Sequence, residues 1–135
     1  MSDRPSSSVD RRAFVAGAVA LSTLPMEVFA MTGTGAMHGL IGKMRAVPGQ
    51  RDALIAILLE GTDAMPGCLS YIIATDSADA DAIWITEVWD SRESHAASLR
   101  LPAVQDAIRR GRPLIAGFDS SQETIPVGGA GLPRR

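Results

Sequence analysis

Ala82-Ile83-Trp84-Ile85-Thr86-Glu87-Val88-Trp89 decides the fold. Ile83, Ile85, Glu87 and Trp89 alternate with Trp84, Thr86 and Val88, and alternation at period two is the pattern of a strand. Large apolar groups fall on both faces, so both faces need cover. Just upstream, Asp76-Ser77-Ala78-Asp79-Ala80-Asp81 reads as a polar hairpin loop, and residues 68–75 are rich in β-formers. Two strands joined by a short polar loop form an antiparallel pair.

Working outward, residues 37–46 also alternate. His38, Leu40, Gly42 and Met44 fall on one side, with Ile41, Lys43 and Arg45 on the other. Val47-Pro48-Gly49 is a turn. Residues 50–64 then place Leu54, Ile57, Leu58 and Gly61 at helical spacing, with Asp52 in the first turn where the helix dipole favours it. Downstream, Asp90 and Glu93 have the spacing of a capping box, with Asp90 as N-cap. The expected helix carries Ala96 and Leu99, kinks at Pro102, continues through Val104 and Ile108, and is disturbed by Gly111 and Pro113 before Gly117 ends it. A last strand fits residues 120–127, and residues 128–135 read as a mobile tail. The order β-α-β-β-α-β predicts an α+β, ferredoxin-like fold with both helices on one face of the sheet. A second copy of the chain is the simplest cover for the other face.

The composition agrees with one globular domain. The chain has 135 residues, 46% of them hydrophobic and 21% charged, enough for a self-sufficient core. Its 13 basic and 15 acidic residues leave a net charge of -2, which argues against nucleic acid or an anionic membrane as the main partner. Cys68 is the single cysteine and His38 and His95 the two histidines, so a disulfide framework, a Cys-rich zinc site and a multi-His metal cluster are all disfavoured.

The first thirty residues read as an address. Arg11-Arg12 precedes Ala13-Phe14-Val15-Ala16-Gly17-Ala18-Val19-Ala20-Leu21, an apolar run too short to span a bilayer. The pair and the run after it resemble a twin-arginine export signal. Cleavage after Val28-Phe29-Ala30 leaves a leader over residues 31–36, a domain over 37–127, no membrane span, and a periplasmic or otherwise exported protein. An N-terminal helix belonging to the fold and a retained anchor are the alternatives.

Four strings occur in order, with the right element between each pair: Val47-Pro48-Gly49-Gln50, Pro66-Gly67-Cys68-Leu69-Ser70-Tyr71, Glu87-Val88-Trp89-Asp90-Ser91 and Leu99-Arg100-Leu101-Pro102-Ala103-Val104. Together they resemble the antibiotic biosynthesis monooxygenase (ABM) domain family, which includes quinol monooxygenases. The resemblance covers residues 37–127. It implies a homodimeric α+β barrel with a pocket between sheet and helices in each protomer. It also implies oxidation of a quinol, hydroquinone or polyketide-like phenol by O2 without metal, flavin or haem. Haem binding or degradation, and non-catalytic binding of small aromatic molecules, are the alternatives the family leaves open. One position departs from the pattern. Many members carry a His nine residues after the Trp of the E-x-W motif, where this chain has Ser98, and its His95 stands six residues after Trp89.

These expectations select candidates. His95 is the first choice for general base, because an imidazole titrates near neutral pH. Glu87 is either a buried proton acceptor or half of a structural pair with Arg45 or Arg100. Trp89, Tyr71, His38, Leu40 and Ile85 are candidates for binding the substrate ring, against plain packing as the alternative. Trp84, on the opposite face, is assigned to the dimer seam. Nothing near Cys68 would activate a thiol, and Arg109-Arg110-x-Arg112 reads as a solvated helix end.

Overall fold

The computed structural model describes residues 35–133. The export segment and most of its leader lie outside them. Four strands form one antiparallel sheet: β1 (His38–Ala46), β2 (Cys68–Thr75), β3 (Ala82–Trp89) and β4 (Ile115–Thr124). Their order across the sheet is β2-β3-β1-β4. Three α-helices lie between them, α1 (Arg51–Gly61), α2 (Arg92–Ser98) and α3 (Pro102–Gly111), followed by a 3-10 turn over Arg112–Leu114. The fold is α+β and ferredoxin-like, as the order of elements predicts.

Register sorts the side chains into two faces. His38 lies opposite Trp89, Leu40 opposite Glu87, Gly42 opposite Ile85 and Met44 opposite Ile83. Directly opposed residues in an antiparallel pair share a face, so these residues all look toward the helices. Met44, Ala46, Leu54, Ile83 and Ile85 make the buried core there. Helices α1 and α3 meet at Gly61, where an added Cβ would come within 2.6 Å of the Ala107 Cβ.

The other face is bare. Ile41, Ile72 and Trp84 are exposed on it. Charged groups border this patch: Lys43 pairs with Asp76 at 3.1 Å, and Arg45 bridges Asp79 at 2.6 Å and Asp119 at 2.8 Å. Trp84 donates its indole N–H to Asp76 at 2.8 Å and lies under the Lys43 ammonium, 5.3 Å from the ring centre.

The second half of the chain differs from its sequence reading in three places. The α2 N-cap is Ser91, not Asp90, and the Ser91 hydroxyl accepts the Ser94 amide at 3.1 Å. Pro102 breaks the helix instead of kinking it: Leu101 is extended, and Pro102 opens α3, where its missing N–H costs nothing. The last strand starts at Ile115, five residues earlier than expected, and ends at Thr124. Its register against β1 shifts between Lys43 and Met44 and again between Arg45 and Ala46. Each shift leaves one β4 residue unpaired, Asp119 and Ala116, and such bulges erase period-two alternation. In the first half the helix stops at Gly61, short of residue 64, and the Thr62 hydroxyl turns back to donate to the Leu58 carbonyl at 3.0 Å.

Candidate active site

Between the sheet and the helices lies a cavity of about 530 Å³. Its walls are mostly apolar, from Met44, Leu54, Leu58, Val104, Ala107 and their neighbours. Tyr71, Glu87, His95 and Ser98 form a polar end beside the indole of Trp89, and Thr62 and Arg112 also line the cavity.

Strand register brings that end together. Glu87 sits between Leu40 of β1 and Tyr71 of β2, and Trp89 sits between His38 and Cys68. Two residues apart on one strand, Glu87 and Trp89 share the cavity face. The Trp89 indole N–H donates to Glu87 Oε2 at 2.8 Å, while its ring is 1% exposed. Helix α2 lowers His95 onto this pair. Its Nε2 is 3.7 Å from the same Glu87 oxygen, and its ring meets the Trp89 ring edge-on, centroids 5.4 Å apart. Ser98 follows one turn later, is buried, and donates its hydroxyl to the His95 carbonyl at 2.7 Å. Ser98 therefore faces the same cavity as His95.

Glu87 does not pair with Arg45, because Arg45 lies on the opposite face of the sheet and is held by Asp79 and Asp119. Its partners are Trp89 and His95. His38 lies behind His95, ring centroids 5.4 Å apart, and does not line the cavity. It is 6% exposed, and burial, with Arg92 and His95 nearby, lowers its pKa below the usual imidazole value. Beyond it, Arg92 grips Glu123 with two hydrogen bonds, at 3.1 and 2.7 Å.

Tyr71 lines the cavity, and burial beside the Glu87 carboxylate pushes its phenol pKa up, so the group is a neutral hydrogen-bond donor at physiological pH. Leu40 and Ile85 line a smaller depression of about 150 Å³, which shares Met44, Glu87 and Phe118 with the main cavity. Burial raises the Cys68 thiol, which leaves it a poor nucleophile. Arg109 and Arg110 both pair with Asp106, and Arg110 also reaches Glu60 at 2.7 Å. Ser98 enters the sequence reading only as the position that departs from the family pattern, and the rim residues Leu99, Ile108 and Phe118 carry no site role there. Spacing alone points to Ser98, three residues after His95 on the same helix.

Among the described residues, no group of three or more His, Cys, Asp or Glu side chains is arranged to hold a metal ion, and no helix is long and apolar enough to cross a membrane.

Comparison with known proteins places the chain in a family. The sequence pattern of the antibiotic biosynthesis monooxygenase domain matches residues 37–110. A crystal structure of an antibiotic biosynthesis monooxygenase-type protein from Chloroflexus aurantiacus is 72% identical, with a TM-score of 0.70, over 72% of this chain and 99% of that one. More distant structures share the fold alone. One from Pseudomonas aeruginosa is 19% identical at a TM-score of 0.63, covering 70% of this chain and 98% of its own. One from Caulobacter crescentus is 14% identical at 0.59, covering 73% and 95%. Among curated proteins none matches the chain. The extent of the domain match and the identity to the Chloroflexus protein show that the chain belongs to the antibiotic biosynthesis monooxygenase domain family.

Proposed function

We propose that the protein is a cofactor-independent monooxygenase that oxidises a phenol, quinol or hydroquinone with O2 in the 530 Å³ cavity. The observation that carries this reading is the cluster of His95, Glu87 and Trp89 at the polar end of a mostly apolar chamber. An electron-rich aromatic anion can reduce O2 by itself, so the protein has three tasks. It binds the ring, takes the hydroxyl proton, and keeps water from the anion. Trp89 and the aliphatic walls suit the ring. His95 accepts the proton, and the Glu87 carboxylate, at 3.7 Å, stabilises the resulting imidazolium. Tyr71 donates to a substrate or oxygen-derived oxygen.

The atoms balance without an outside reductant. The ring anion passes electrons to O2, and a C–O bond forms at a ring carbon bearing hydrogen. The O–O bond breaks as that C–H proton leaves. One oxygen atom stays as a quinone carbonyl, and the other departs as hydroxide. The proton held on His95 returns to it as water.

Two further readings belong to the same proposal. A second copy of the chain covers Ile41, Ile72 and Trp84, making a homodimer. The protein is exported, a reading that rests on Arg11-Arg12 and the apolar run after it, outside the described residues.

The test is O2 uptake with a panel of phenols and hydroquinones, in the presence of chelator. Turnover above autoxidation, lost in His95→Gln, supports the proposal. Uptake no faster than with unfolded protein removes it, and saturable binding without turnover leaves a binding module. A Soret shift on haem titration that is lost in His95→Ala would move the assignment to haem.

A further inference from the structure

Leu99, Ile108 and Phe118 line the cavity, yet they stand open to water at 45%, 39% and 69% exposure. They come from three elements: the C-cap of α2, the body of α3 and the bulged part of β4. Single exposed apolar side chains are ordinary, but three lining one cavity give it an exposed apolar lip, which the exposed Arg112 side chain borders. Phe118 is aimed there by the backbone. Ile115, opposite Ala46, faces the helices, and regular alternation would turn residue 118 to the other side. The bulge at Ala116 resets the alternation, so that Phe118 pairs with Met44 on the helix side.

Leu99 directly follows Ser98 at the polar end, and Phe118 marks the far end of the lip. Glu87 lies opposite Leu40 and Phe118 opposite Met44, four residues further along β1 and about 13 Å away at strand spacing. A single ring whose hydroxyl meets His95 ends well short of Phe118. The volume is also that of a site for a drug-sized molecule, not for one small ring.

We infer that the cavity takes a phenol or hydroquinone bearing an apolar tail, with the ring hydroxyl at Glu87 and His95 and the tail laid over Leu99, Ile108 and Phe118. The ring end rests on the proposed function, and the tail end rests on the lip alone. These three residues then set specificity by the length and polarity of the substituent.

Anaerobic calorimetric titration with 4-methylphenol and 4-hexylphenol tests this without turnover. Complete burial of five added methylenes would tighten binding about a thousandfold. A lip half open to water predicts about 30-fold. Phe118→Ser and Ile108→Ser, both at exposed positions, should each cut that ratio at least threefold with the circular dichroism spectrum unchanged. Equal affinities for the two phenols overturn the inference, as does a ratio that survives both substitutions. So does a Phe118→Ser variant that changes sedimentation but not the ratio, since Phe118 is then a contact between copies. Tail preference without O2 uptake removes the monooxygenase reading and leaves the tail site. O2 uptake without tail preference does the reverse.

Discussion

His95 Nε2 stands 3.7 Å from Glu87 Oε2, the same oxygen that accepts the Trp89 indole proton at 2.8 Å. One carboxylate oxygen thus orients the aromatic wall and faces the base. Removing the imidazole removes proton transfer, so His95→Gln should lower kcat for O2 uptake by about 10²–10⁴-fold. Glu87→Gln keeps an oxygen for Trp89 but loses the charge opposite the imidazolium. Its kcat should fall less than in His95→Gln. A Glu87→Gln enzyme with unchanged kcat would separate Glu87 from the proton step.

His38 supplies a stability prediction whose sign follows from its burial. Its folded pKa is lowered, chiefly by burial and then by Arg92 and His95. The unfolded chain, near the ordinary value of about 6.5, therefore binds the proton first as pH falls. Stability should be full above that value and decline below it, through the window down to the folded pKa. His38→Gln removes this group. The drop in urea midpoint between pH 7.5 and pH 5.5 should be smaller in the variant than in the parent protein. An equal drop in both would show that His38 charges without hindrance in the folded state.

Gly61 is required where α1 crosses α3. A Cβ at this position would approach the Ala107 Cβ to 2.6 Å, so the helices must part. Overpacking of this kind costs about 1–3 kcal/mol, against a gain of about 1 kcal/mol from the better helix propensity of alanine. Gly61→Ala should therefore lower the thermal midpoint by a few degrees. Ala107→Gly in the same chain clears the clash and should recover part of the loss, net of its own helix penalty. A double variant no more stable than Gly61→Ala alone would place the strain elsewhere.

The readable parts of the molecule are those where one period holds without interruption. The residues from Ala82 to Trp89 alternate cleanly, and their strand has the expected bounds. That alternation also carried Glu87 and Trp89 to one face with His38 and Leu40. It already placed Arg45 on the other face, so an Arg45 partner for Glu87 contradicted the pattern that positioned Glu87. The last strand is not legible in the sequence because Ala116 and Asp119 bulge out of register, and two extra residues in a short stretch look like loss of pattern. Ser98 is legible as the departure from the family pattern and by its spacing from His95, whereas the face of Phe118 is set by a bulge that no local spacing reveals. The cavity depends on how far α1 and α3 stand from the sheet, a distance made by packing and not written in any single element.

The bare sheet face gives the last prediction. Ile41, Ile72 and Trp84 stand exposed on adjacent strands, ringed by the Lys43–Asp76 and Arg45–Asp79 pairs. An apolar centre with a charged border is the anatomy of an interface. Two-fold symmetry would set the same patch against itself. Ile72 has no ion pair or side-chain hydrogen bond to lose, so Ile72→Lys tests burial alone. Placed near the axis, the new charge would meet its own symmetry mate and desolvate against apolar surface. Sedimentation of residues 31–135 should show a dimer at micromolar concentration for the parent protein and a monomer for Ile72→Lys, with the circular dichroism spectrum unchanged. Trp84→Ala should weaken the dimer as well, but it also frees Asp76 from the indole and is the less clean probe. A parent protein that sediments as a stable monomer at that concentration would leave this face solvent-exposed and the protomer complete alone.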